Sequence, residues 1–204
     1  MKRMMMICLQ GIGAGLAISI GGTVYLSVEQ PVVGSVLFAV GLYAIVLNGL
    51  YLYTGKVGYL VEQEKPAPYL MLLLATWTGN LLGTAAGAAL ILQTRVGSGL
   101  RERVLGICET KLGDDPFSIL ILAVFCGILM YVAVDGFKSK GNPLILIFCV
   151  SVFILCGFEH CIANMFYFSL AGVWSAKTFG YLLVMTLGNS LGGMLIPALK
   201  RVQP

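Results

Sequence analysis

A single histidine, His160, directly follows an acid, Glu159, inside an otherwise uncharged apolar stretch. Ionisable groups at membrane depth are costly and mark pathways or proton relays. An imidazole has a reference pKa of about 6.5, so His160 is the side chain here suited to changing charge near neutral pH. Its neighbour Glu159 must face another way and is expected to be held by backbone N–H groups or a lysine, as a fixed or structural charge. An intramembrane enzyme built on this pair would need a further catalytic group. The other acid bordering an apolar core, Asp135, lies at the end of its run, so no catalytic residues are assigned. Cys156, His160 and Cys161 could be imagined as soft metal ligands, but no CxxC pattern or carboxylate partner accompanies them. The six cysteines are read as small apolar packing residues, and neither metal nor cofactor is expected.

Two amides come next. Gly79-Asn80-Leu81-Leu82-Gly83 and Gly188-Asn189-Ser190-Leu191-Gly192 share the pattern G-N-x-x-G at an offset of 109 residues. The glycines suit close packing of helices. A buried amide in lipid needs partners, so Asn80 and Asn189 are expected to bond backbone that has left helical geometry.

These residues need apolar elements to hold them. Apolar residues make up 58% of the chain and charged residues 11%, against roughly 45–50% and about 25% in soluble domains. With a mean hydropathy of +0.93, this excludes an ordinary soluble globule. The 13 basic residues are scattered and offer no face for a phosphate backbone, so no nucleic-acid partner is expected. Residues 4–28, 30–55, 66–94, 116–134, 141–158 and 178–199 carry no Asp, Glu, Lys or Arg. Each can cross a hydrocarbon core of about 30 Å as a helix. The stretch 141–176 is too long for one straight span and too short for a hairpin of two. The chain is therefore read as one all-α transmembrane domain, 1–204. Its six spans are placed near 4–28, 31–55, 67–94, 116–135, 143–171 and 178–200. Segment 95–115 is read as an extramembrane loop or surface helix.

At an offset of 108, Leu47-Asn48-Gly49-Leu50 falls opposite Leu155-Cys156-Gly157-Phe158. Together with the G-N-x-x-G pair, this predicts that spans 1–3 recur as spans 4–6. Three spans per copy require opposite topologies, the inverted-repeat plan of transporters and channels, and the breaks in spans two and five point to the substrate site. With six spans, Lys2, Arg3, Lys56, Lys65, Lys138, Lys140, Lys200 and Arg201 share a side with both termini, against Arg95, Arg101, Arg103, Lys111 and Lys177 opposite. This bias predicts cytoplasmic termini in a multi-pass protein of the plasma (inner) membrane. The apolar run after Met1-Lys2-Arg3 is longer than the 7–15 residues of a signal h-region and is read as a span rather than a cleaved leader.

Gly157-Phe158-Glu159-His160-Cys161-Ile162-Ala163-Asn164-Met165 closely resembles the G-F-E-H-S-I-A-N-M fingerprint of the formate/nitrite transporter family of pentameric anion channels, with Cys161 in place of Ser. Ala14–Ile20 is similar to the family's first span. Trp77–Gly83 matches W-x-G-N-x-x-G, Thr186–Gly193 matches T-x-G-N-x-x-G-G, and Lys111-Leu112 with Pro116-Phe117 matches K-L-x-x-P-F. The resemblance implies an aquaporin-like fold with one pore per protomer in a homopentamer. It makes His160 the central histidine and Thr54 the threonine of the loop that breaks span two. Phe38, Leu42 and Phe153 become pore-narrowing residues, Asn164 joins the pore, and Lys111 is a vestibule lysine. The expected cargo is a small monovalent anion such as formate, nitrite or hydrosulfide. It would pass as the neutral acid, with His160 relaying protons. The rival reading is an aquaporin-like pore for small neutral solutes, but no N-P-A occurs in the sequence.

Overall fold

The computed structural model describes residues 2–202. Eight α-helices and one short 3₁₀ helix account for its regular structure, and the described residues contain no strand. The helices are α1 (Lys2–Ser27), α2 (Pro31–Leu47), α3 (Pro66–Leu92), α4 (Gly97–Gly113), α5 (Pro116–Lys140), α6 (Pro143–Leu155), α7 (Cys161–Ala171) and α8 (Ala176–Arg201), with the 3₁₀ helix at Val57–Glu62. Four of them, α1, α3, α5 and α8, are long and apolar enough to cross a membrane. Segment 95–115, open in sequence between loop and helix, is mostly the helix α4, which buries Leu100, Val104 and Cys108.

Local chemistry sets the helix starts. Pro31, Pro66, Pro116 and Pro143 begin α2, α3, α5 and α6, where a missing N–H costs nothing. Side chains of Gln30, Asp115, Asn142 and Ser175 accept bonds from first-turn amides of α2, α5, α6 and α8.

Both short helices stop in the same way. After α2 the chain turns through Asn48 and Gly49, and after α6 through Cys156 and Gly157. Gly49 and Gly157 have φ of 64° and 67°, the left-handed region that costs other residues about 1–2 kcal/mol. The helical part of the second apolar run therefore ends at Leu47, short of residue 55.

Helix α1 packs most extensively on α3, and α5 on α8. The G-N-x-x-G glycines permit both approaches. A Cβ on Gly83 would collide with the Ile12 carbonyl, and one on Gly192 with the Val124 carbonyl. The segments after the breaks cross over: α7 packs on α3, and the 3₁₀ helix packs on α8. Helices α2 and α6 face each other in the middle.

Candidate functional site

The two asparagines fix the two breaks. Asn80 Oδ1 accepts from the Tyr53 amide at 2.9 Å, and its Nδ2 donates to the carbonyls of Tyr51 at 2.8 Å and Gly11 at 2.9 Å. Asn189 Oδ1 accepts from the Cys161 amide at 2.9 Å, and its Nδ2 donates to the carbonyls of Glu159 at 2.7 Å and Ala123 at 2.8 Å. Each amide thus serves two backbone groups that no helix satisfies, plus one carbonyl of a neighbouring helix. The residue after Tyr53 is Thr54, and the residue between Glu159 and Cys161 is His160.

Held this way, Thr54 and His160 meet across 106 residues of sequence, with Thr54 Oγ1 2.8 Å from His160 Nε2. His160 is also the N-cap of α7, and its Nδ1 accepts from the Ala163 amide at 3.1 Å. A backbone N–H can only donate, so Nδ1 carries no proton and the neutral ring has its hydrogen on Nε2. Nε2 then donates to Thr54 Oγ1, leaving the threonine hydroxyl hydrogen to bond elsewhere. Phe153 stacks on the His160 ring with centroids 5.5 Å apart, and Phe38 meets Phe153 edge-on at 6.1 Å. Thr54, His160, Phe38, Leu42 and Phe153 are all buried.

Glu159 faces away from its neighbour. Its Oε2 accepts from Lys111 Nζ at 2.6 Å and from Asn164 Nδ2 at 2.7 Å. Lys111 is thus one half of an ion pair, with its side chain 14% exposed and that of Glu159 3%. Its position in the last turn of α4 also complements the negative end of that helix. Asn164 Nδ2 also donates to the His160 carbonyl at 3.1 Å, so both its bonds run to acceptors and the amide cannot be reversed. Its Oδ1 is buried and has no partner among the described residues.

A cavity of about 290 Å³ is lined by Lys111, Asp114, Glu159, His160, Asn164 and Tyr167, among others. A second, of about 60 Å³, reaches Leu52 and Gly55, which flank Thr54 closely in sequence. His160 lines the larger cavity, which meets α5 at Leu122, and Gly55, next to Thr54, lines the smaller, which meets α5 at Val134 and Lys138 towards its other end. Among the described residues no group of three or more His, Cys, Asp or Glu side chains could hold a metal ion, and Cys156 is exposed while Cys161 is buried.

The sequence profile of formate/nitrite transporters matches residues 1–202. The chain belongs to the formate/nitrite transporter family. Among relatives of this family, it is 27% identical over 187 residues to "Formate channel FocA" of Haemophilus influenzae, covering 81% of this chain and 66% of that one. It is 28% identical over 207 residues to "Nitrite transporter NirC" of Salmonella typhimurium, covering 93% of this chain and 76% of that one. A solved "Pentameric formate channel with formate bound" superposes with a TM-score of 0.85 at 25% identity, over 98% of this chain and 96% of that one. An "FNT family ion channel" shares the fold, with a TM-score of 0.80 at 22% identity. Family membership and four long apolar helices make the chain a multi-pass membrane protein.

Several residues around the candidate site lie outside the motifs of the sequence. Tyr25 and Tyr167 line the larger cavity, and Lys56 and Lys138 the smaller. Tyr167 lies just beyond the fingerprint and Lys56 two residues past Thr54, so distance from the motifs was the available signal. Arg103 donates to the carbonyls of Leu26 at 2.8 Å and Val28 at 2.7 Å and ties α4 to the end of α1.

Proposed function

We propose that this protein is a homopentameric channel or transporter of the plasma membrane, with one pathway per protomer for small monovalent anions such as formate, nitrite or hydrosulfide. In this reading the chain crosses the membrane six times with both termini in the cytoplasm, and residues before and after α4 are inverted copies. The matched Asn80 and Asn189 bonds support the repeat, and a solved pentameric relative of similar shape supports the assembly.

The observation that carries the proposal is one histidine buried among apolar side chains, bonded to Thr54 and open to a cavity on its other side. A bare carboxylate entering such a medium costs, in the Born limit, on the order of 20 kcal/mol. Protonating an acid of pKa about 4 at pH 7 costs only about 4 kcal/mol. Neutral passage is the cheaper route. The anion takes a proton at the 290 Å³ cavity and passes Phe38, Leu42 and Phe153 as the acid. Asn164 Oδ1, an acceptor without a donor, suits the O–H of the acid and repels the anion. For His160 to supply the proton it must first become an imidazolium, and Nδ1 must then release the Ala163 amide. That lost cap makes the charged ring a transient carrier: it gives its proton to the anion, returns to neutral and restores the cap.

The test is formate flux into proteoliposomes across pH 5 to 8. The wild type is expected to show uptake rising steeply as pH falls, and His160→Asn to lose that slope. Equal flux of a permanently charged anion of formate's size would overturn neutral passage. An unchanged pH slope in the folded variant would remove His160 from the relay.

A further inference from the structure

The two cavities differ in charge. In the larger one Lys111 is neutralised by Glu159 at 2.6 Å, and Asp114 adds a negative charge to the lining. The smaller one is walled by Ile45, Leu52 and Val134, among others, and its only charged lining residues are Lys56 and Lys138. No carboxylate lies within ion-pair distance of either lysine among the described residues. Lys56 Nζ instead sits over the Tyr51 ring at 3.8 Å, and Lys138 Nζ over the Tyr59 ring at 4.7 Å. Of the carboxylates nearby, Asp135 is bonded by Lys200 at 3.0 Å and by the Tyr59 hydroxyl at 3.2 Å, and Glu62 is exposed; both bear on Lys138 from beyond ion-pair distance, Asp135 the more strongly. The charged group that bears on Lys56 is Lys138.

The backbone of Lys56 is fixed. Its amide donates to the Tyr53 carbonyl at 3.0 Å, and its carbonyl accepts from the Tyr69 hydroxyl at 2.9 Å. Two lysines of like charge therefore line one small apolar-walled space two residues from Thr54, and an anion held there would relieve their mutual repulsion. A water takes about 30 Å³ of liquid, so about 60 Å³ admits two waters or one three-atom anion. A phosphodiester headgroup with its substituents does not fit.

We propose that Lys56 and Lys138 form a retention site for one small monovalent oxyanion, on the opposite side of the Thr54–His160 contact from the Lys111–Glu159 cavity. This rests on the reading that the chain carries such anions, and it makes the two mouths unequal. Anions arriving at the Lys56 side are held before the constriction. Those arriving at the other side meet a cation already neutralised.

Two measurements test it. Formate uptake is followed in right-side-out and inside-out membrane vesicles at equal pH on both sides, for the wild type and for Lys56→Gln combined with Lys138→Gln. Exchanging two charge-assisted bonds for neutral ones is expected to raise the half-saturating formate concentration at least about tenfold in one vesicle type. In the other type it stays the same. A passive pathway carries equal flux both ways at zero gradient, so uptake of trace formate falls equally in both. No shift in either type, or the same shift in both, would overturn the site. The second measurement does not depend on transport: crystals of the full chain soaked in bromide are read by anomalous scattering. A peak in contact with both lysine Nζ atoms, lost in Lys56→Gln, supports the site. No peak there, or a lipid headgroup in its place, overturns it. A wild type that carries no formate while keeping the bromide peak would reject the transport reading and leave the anion site standing.

Discussion

The break after α2 and the break after α6 have one backbone design and different contents. In each, a left-handed glycine ends a helix, two residues later a carbonyl accepts from an asparagine on a distant helix, and two residues further an amide donates to it. At the carbonyl position the first break has Tyr51 and the second has Glu159; at the next it has Leu52 where the second has His160. The three Asn189 bonds are buried, whereas two of the three Asn80 bonds are only part-buried. Glycine and asparagine thus build the scaffold of both breaks, and a few side-chain exchanges decide which break carries the acid and the histidine. The second break has the more buried setting and a counter-charge, Lys111, from α4.

Removing the asparagines should break this comparison hardest. Asn189→Ala strands three buried backbone groups at about 1–3 kcal/mol each, and no folded assembly is expected on gel filtration in mild detergent. Asn80→Ala should be milder, because two of its three bonds are only part-buried. Equal losses would mean that the two breaks are equally dry. Next comes Glu159→Gln, which leaves Lys111 as an uncompensated, mostly buried charge. Breaking such a pair costs about 3–5 kcal/mol, and adding Lys111→Met should restore most of it. Thermal unfolding of single and double variants in detergent checks this, and a double variant no better than the single would show that the pair is not coupled. The smallest effects belong to the glycines. Nothing lies within 4 Å of a Cβ placed on Gly49 or Gly157, so alanine at either costs only the left-handed backbone. A matched loss of about 1–2 kcal/mol is expected at both, again by thermal unfolding. Unequal losses would show that the turns are held by different forces.

The sequence alone determined the four long helices, because an uncharged run of that length has few other fates. It also determined where α2 and α6 stop, since Asn48-Gly49 and Gly157 carry their reason within two residues. It showed that Asn80 and Asn189 would need unusual partners, because a buried amide requires them wherever it lies. The apolar run continues to residue 55, but beyond Asn48 the chain bonds to Asn80 instead of to itself. The meeting of Thr54 with His160, the pairing of Lys111 with Glu159 and the placing of Lys56 and Lys138 on one small cavity were decided by the tertiary structure. Hydrophobicity, capping and left-handed turns are properties of a residue and its near neighbours. Which proton acceptor or counter-charge comes within about 3 Å depends on how helices far apart in the chain are packed.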